Sequence, residues 1–153
     1  MHLLVLRFIT LVLVALGLTM GTAHLLELPP KMQYDAVMYA AVTSTLYRLF
    51  GSVGAFIQVA SILAVAILAF LVRFRPAFRL TLFATLSLIF SLILWFALVA
   101  PVNAEWLQVI ESTPEFVPKA YLQLRDRWEY GHVAAFIAWF CGFCLLVLSV
   151  LIE

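Results

Sequence analysis

The chain holds 153 residues, 66% of them hydrophobic and 11% charged, against about 25% charged in soluble domains, and its mean hydropathy is +1.13. So few polar side chains cannot clothe a water-facing surface of this size, which excludes a soluble globule and makes lipid the expected solvent. A net charge of +1 offers no basic field for nucleic acid, and six Gly and six Pro exclude a disordered or collagen-like chain.

The charged and histidine side chains leave four long gaps, which predict four transmembrane helices over about 3–26, 49–72, 80–102 and 131–152. Closed strands are the other spanning option, but no polar–apolar alternation is present. The first span reaches full length only if it starts near Leu3, with Arg7 snorkelling to the headgroups. Gly21-Thr22-Ala23 also makes a passable signal cleavage site. Against cleavage, Gly17 and Gly21 form a GxxxG pair suited to close packing in a retained span, with His24 on nearly the same face.

Pro29-Pro30 is expected to end this helix, and Asp35 to cap a helix running unbroken into span two. The loop Arg73-Phe74-Arg75-Pro76-Ala77-Phe78-Arg79 carries three arginines and no acid, which by the positive-inside rule places it and both termini in the cytoplasm. Ser87 and Ser91 on span three are a small-xxx-small pair for helix contact, and Gln58 and Ser61 on span two can bond across helices. Pro118 suits the first turn of a long helix continuing through span four. The outer connections, 24–48 and 105–132, hold seven of the eight acids and the aromatics Tyr34, Tyr39, Tyr47, Trp106, Phe116, Tyr121, Trp128 and Tyr130, so interfacial helices are expected there. The fold class is all-α: one domain, a four-helix membrane bundle with interfacial helical extensions.

Four-span topology gathers the ionisable residues at the outer end. Span one closes with His24-Leu25-Leu26-Glu27, span three with Pro101-Val102-Asn103, and span four opens with Glu129-Tyr130-Gly131-His132. Arg125, Trp128, Glu129 and His132 follow i, i+3, i+4, i+7 on one stripe, extended inward by Phe136 and Trp139. The expected site is a polar knot above an aromatic-lined slot that opens outward.

Three readings of that knot stand side by side. His24, Glu27, Glu129 and His132 resemble half of a bundle di-metal ligand set, or imidazole and carboxylate donors to a single ion. Without metal, a neutral histidine takes a proton while a carboxylate orients it. Structurally, the same residues are ion pairs pinning helices together, with Arg125 to Glu129 at i, i+4 as the obvious pair and Asn103 as a cap. Cys141-Gly142-Phe143-Cys144 reads as buried packing residues rather than a redox pair, because no second pair exists to relay electrons.

The stretches 24–32, Tyr47-Arg48, Pro101-Val102-Asn103 followed by Trp106, and Leu124 to His132 resemble the anthrone oxygenase-like family of four-span membrane proteins. The resemblance carries onto Asn103, Arg125, Trp128, Glu129 and His132, while the 24–32 block is similar to a bacterial subgroup. It implies oxidation of a lipophilic, polycyclic aromatic (anthrone-like) substrate with O2 and no bound cofactor, in a bacterial inner membrane. His132 would then be the base, Glu129 its orienter, and Arg125 or Asn103 the stabiliser of a phenolate; His24, Glu27, Trp128, Tyr47 and Trp139 would hold the substrate. A non-catalytic protein binding a lipid or partner helix is the alternative. The expected partners are the bilayer and a lipophilic small molecule, with no nucleic acid, and a homo-oligomer stays open.

Overall fold

The computed structural model describes residues 2–112 and 117–153. Phe116 lies outside them. Among the described residues there are six α-helices and no strand: α1 His2–Lys31, α2 Ala36–Leu46, α3 Arg48–Leu71, α4 Phe78–Leu94, α5 Ala100–Ser112 and α6 Val117–Leu151, with a π-helical turn Trp95–Val99 joining α4 to α5. Four stretches are long and apolar enough to cross a membrane: His2–Lys31, Leu49–Leu71, Phe78–Trp106 and Tyr121–Leu151. The chain is a multi-pass membrane protein built as an all-α four-helix bundle.

Three helix boundaries differ from the sequence expectation. α1 does not stop at Pro29-Pro30 but carries both prolines in its last turn. Two missing N–H donors weaken only that final turn, and the backbone keeps its helical path, with the Met32 N–H donating to the Leu28 carbonyl at 3.0 Å. Asp35 caps α2 through Oδ1, which accepts from the Met38 N–H at 2.8 Å. The helix does not then run unbroken into span two, because Tyr47 (φ −89°, ψ 3°) separates α2 from α3. Span three continues past Asn103, so that residue is not a cap.

The π turn has a local cause. Pro101 has no N–H to give the Ala97 carbonyl, four residues earlier, so one rung of the helical ladder is absent there. Instead Ala100 N–H reaches the Trp95 carbonyl in an i→i+5 bond, and Arg127 Nη2 from α6 approaches the Ala97 carbonyl at 3.5 Å. Such turns commonly mark functional sites. This one carries Trp95 and Phe96 into the cavity described below.

Each span packs against its two neighbours in a closed ring, α1–α3–α4–α6–α1. Large apolar side chains such as Phe8, Phe56, Phe70 and Phe83 face outward, as lipid demands. Small and polar residues make the helix contacts instead. Ser87 Oγ donates to the Ala138 carbonyl and Ser91 Oγ to the Ala135 carbonyl, both at 2.7 Å. Ser61, by contrast, bonds its own helix at the Ile57 carbonyl. Cys141 is exposed on the lipid face rather than buried, since its position on α6 turns it away from the bundle; Cys144 is half-buried, and both are free thiols.

Two apolar cores result. One joins Val14, Val65, Leu68, Ala84, Leu88, Trp139 and Leu146. The other joins Tyr39, Val99, Val102, Trp106, Tyr121, Leu124 and Trp128 at the end bearing the interfacial helices. At the opposite end Glu153 pairs with Arg7 and with Arg75, the latter at 3.3 Å. That clasp places both termini and the short arginine loop on one side.

Candidate functional site

Between the two cores lies a cavity of about 190 Å³. Trp139 forms its floor, anchored by its indole N–H to the Val14 carbonyl at 3.0 Å. The glycines of α1 let aromatic rings press against its backbone. A Cβ at Gly17 would sit 2.5 Å from Trp139 Cζ2, and one at Gly21 2.7 Å from Phe136 Cδ2. The roof is aromatic and nitrogenous: His24, Tyr47, Trp128 and His132. All exposed residues in the lining belong to α3 (Gly51, Ala55, Val59) or to span three (Phe96, Asn103), whereas the linings from α1 and α6 are buried or half-buried.

The two histidines meet face to face, with ring centroids 4.0 Å apart and planes inclined by 29°. His24 also stacks on Tyr47 at 4.9 Å, and His132 lies against Trp128 at 4.1 Å. His132 Nδ1 stands 2.9 Å from the Trp128 carbonyl. A carbonyl only accepts, so Nδ1 carries a proton, and in the neutral form of the ring Nε2 then holds the lone pair. His24 Nδ1 is buried with no partner among the described residues. Asn103 Oδ1 accepts the Trp128 indole N–H at 2.7 Å, which leaves its amide N–H groups free to donate.

The charged residues stand behind this roof. Lys31, 2% exposed, places Nζ 3.0 Å from Oε2 of the fully buried Glu129 and 3.7 Å from Glu27 Oε2. Its ammonium also lies 4.9 Å from the ring centroids of both Tyr47 and Trp128, a cation–π cage. Tyr39 donates its hydroxyl to Glu129 Oε1 at 2.9 Å, and Tyr47 donates to Glu27. Burial, and then the adjacent Glu129 carboxylate, push the Tyr39 phenol well above its ordinary value. It therefore remains a neutral donor, which suits a buried partner of a carboxylate.

Two pairings expected from helical spacing are replaced. Arg125 does not reach Glu129. Its Nε donates to Asp126 Oδ1 at 2.8 Å, and its Nη1 donates to the Met32 carbonyl and the Tyr121 hydroxyl, each at 3.2 Å. Glu129 turns inward to Lys31, where the desolvated charge finds both a cation and a phenol. Nor does Glu129 orient His132, since the Trp128 carbonyl does so. The structure thus brings His132, His24, Trp128, Asn103, Tyr47 and Trp139 to the cavity. It holds Glu27, Glu129 and Arg125 outside the lining.

His24, Glu27, Glu129 and His132 do not converge as a ligand set. Stacked imidazoles direct their nitrogen lone pairs along roughly parallel planes rather than to a common point, and Lys31 occupies the space between the carboxylates. Among the described residues no three His, Cys, Asp or Glu side chains meet.

No protein-family model, curated protein or solved structure matches this chain. Lys31 and Tyr39 are the site residues that the sequence reading missed. For Lys31 a signal existed: His24, Glu27 and Lys31 follow i, i+3, i+7, one face of a helix if the helix is carried through the prolines. Tyr39 carried none beyond its place on an aromatic-rich segment.

Proposed function

We propose that the protein is a membrane-embedded oxygenase-type enzyme that takes a lipophilic aromatic molecule into the cavity. There His132 Nε2 removes a proton from an acidic O–H or C–H group. The observation that supports this most directly is an imidazole with its Nδ1 tied to a backbone carbonyl, in the lining of an aromatic cavity. A positioned base of this kind supplies about 10²–10⁴-fold. The Asn103 amide is the donor available to the developing oxyanion, in place of Arg125. An electron-rich anion then reduces O2 dissolved in the bilayer. For an anthrone, one oxygen atom enters the new carbonyl and the other leaves as water with the two methylene hydrogens, so no external reductant is needed.

The cavity volume narrows the substrate. A cavity of about 150 Å³ holds one benzene, so 190 Å³ suits one or two rings, and three fused rings would fill it to its mouth. The arginine loop and both termini would face the cytoplasm by the positive-inside rule, which a reporter fused within 73–79 tests.

The decisive experiment is oxygen uptake by proteoliposomes given anthrone or 1-naphthol, above the rate of empty vesicles. His132→Gln should cut that rate at least a hundredfold while the protein stays monodisperse. Unchanged uptake in His132→Gln, or none in the wild type, would favour the second reading, a cavity that binds a lipid without turnover. The ion-paired carboxylates behind the roof favour that reading for Glu27, Glu129 and Lys31, as structural residues.

A further inference from the structure

The position of the exposed lining residues says how the cavity communicates with its surroundings. Gly51, Ala55 and Val59 recur every four residues along one face of α3, and Phe96 and Asn103 lie on the facing span. Val59 stands ten residues beyond Leu49, where the span begins, or about 15 Å deeper at 1.5 Å per residue. That depth is about the middle of a bilayer with a hydrocarbon core of about 30 Å. The gap between α3 and span three therefore opens sideways into hydrocarbon, rather than only outward to water. A Cβ at Gly51 would meet nothing within 4 Å, so this lip is open, unlike the packed glycines 17 and 21.

Resting on the proposed function, we infer that the ligand is a ring-headed lipid. Its phenolic ring of one or two cycles occupies the cavity under His24 and His132, and its single alkyl or prenyl chain leaves between α3 and span three into the bilayer. Three features converge on this occupant. The cavity of about 190 Å³ takes a head of one or two rings, so a long chain attached to it must lie outside. The polar atoms suited to a phenolic hydroxyl, including Nδ1 of the 94%-buried His24, which has no partner among the described residues, sit at the roof, while the lips at Ala55, Val59 and Phe96 are apolar, with the half-buried Gln58 as the polar side chain beside them. A chain lying in that gap also never leaves hydrocarbon, so binding requires no transfer of apolar surface through water.

The test uses full-length protein in nanodiscs and two probes that differ only in the chain, 4-ethylphenol and 4-dodecylphenol, with binding measured by equilibrium dialysis against empty nanodiscs. Gly51→Phe and Ala55→Phe fill the lips, and the open space at Gly51 lets the first fold. Each should weaken 4-dodecylphenol at least tenfold more than it weakens 4-ethylphenol. Equal losses for the two probes, or no loss for either, overturn the lateral chain path while leaving the aromatic cavity standing. A wild-type protein that binds neither phenol overturns the proposed function and this inference with it. Should one variant aggregate, the other reads the same lips, and Val59→Trp provides a third.

Discussion

The Lys31–Glu129 pair permits a quantitative forecast, because both groups are almost fully removed from solvent and their separation is known. At 3.0 Å and an effective dielectric of about 20, the Coulomb attraction is about 5.5 kcal/mol. Removing one partner strands the other, at a loss of about 3–5 kcal/mol. The two single variants should nevertheless differ. Lys31→Met leaves Glu129 with only the Tyr39 hydroxyl, in a buried site. Glu129→Gln keeps that hydrogen bond and leaves Lys31 with Glu27 at 3.7 Å and two aromatic rings. Lys31→Met is therefore the more damaging, at about 3 kcal/mol or more. The double variant removes both charges together and should recover at least half of the summed losses. Equilibrium unfolding in mixed micelles titrated with dodecyl sulfate supplies all four corners of the cycle. Single losses below about 1 kcal/mol, or a double variant equal to the sum of the singles, would show that the pair is not the buried lock described above.

Three further outcomes follow from other contacts. Gly17→Ala drives a methyl group into Trp139 Cζ2 and should destabilise by about 1–3 kcal/mol; Trp139→Phe in the same chain removes the obstructing ring and should relieve part of that loss, so strict additivity in the same unfolding assay would contradict the packing. Ser87→Ala and Ser91→Ala each delete one interhelical hydrogen bond and should lose about 0.6 kcal/mol apiece, with about 1.7 as the ceiling known for membrane bundles; a loss above that would mean the serines do more than donate to Ala138 and Ala135. Plasma mass spectrometry of purified wild type beside a His24→Ala/His132→Ala variant should show no near-stoichiometric iron, copper or zinc that the variant loses. Such a metal would require the stacked imidazoles to part and Lys31 to vacate the space between the carboxylates.

The spans were legible because a charge in hydrocarbon is expensive, so the gaps between ionisable residues trace the bilayer almost directly. The stripe from Trp128 through His132 to Phe136 and Trp139 was legible for a related reason: helical period alone puts these residues on one side, and aromatic rings on that side must pack on something. Where the reading failed, spacing set proximity without setting choice. Arg125 is one turn from Glu129, yet Asp126, the Tyr121 hydroxyl and the Met32 carbonyl hold it, while Glu129 is drawn inward by Lys31 and Tyr39, which lie on other helices. No i, i+4 rule ranks a local partner against tertiary ones. Pro29-Pro30 misled in a different way, since two prolines remove hydrogen bonds from a terminal turn without forcing the chain off its helical course.

That extra turn of α1 has consequences for the proposed chemistry. It delivers Lys31 to a place where its charge is cancelled by Glu129 and its ammonium lies against the rings of Tyr47 and Trp128. The same two rings present themselves to His24 and His132. The roof of the cavity is therefore held from behind by a neutralised ion pair, while the imidazoles in front have no carboxylate partner among the described residues. In the proposed reaction, a base acting on an apolar substrate would be served by such a division. A carboxylate touching His132 would favour its charged form, whereas a backbone carbonyl at Nδ1 sets the ring's orientation without adding a full charge. A His132 variant should accordingly impair turnover far more than stability, and a Lys31 variant should do the reverse. Equal effects of the two on both quantities would mean that the roof and its support are not separate devices.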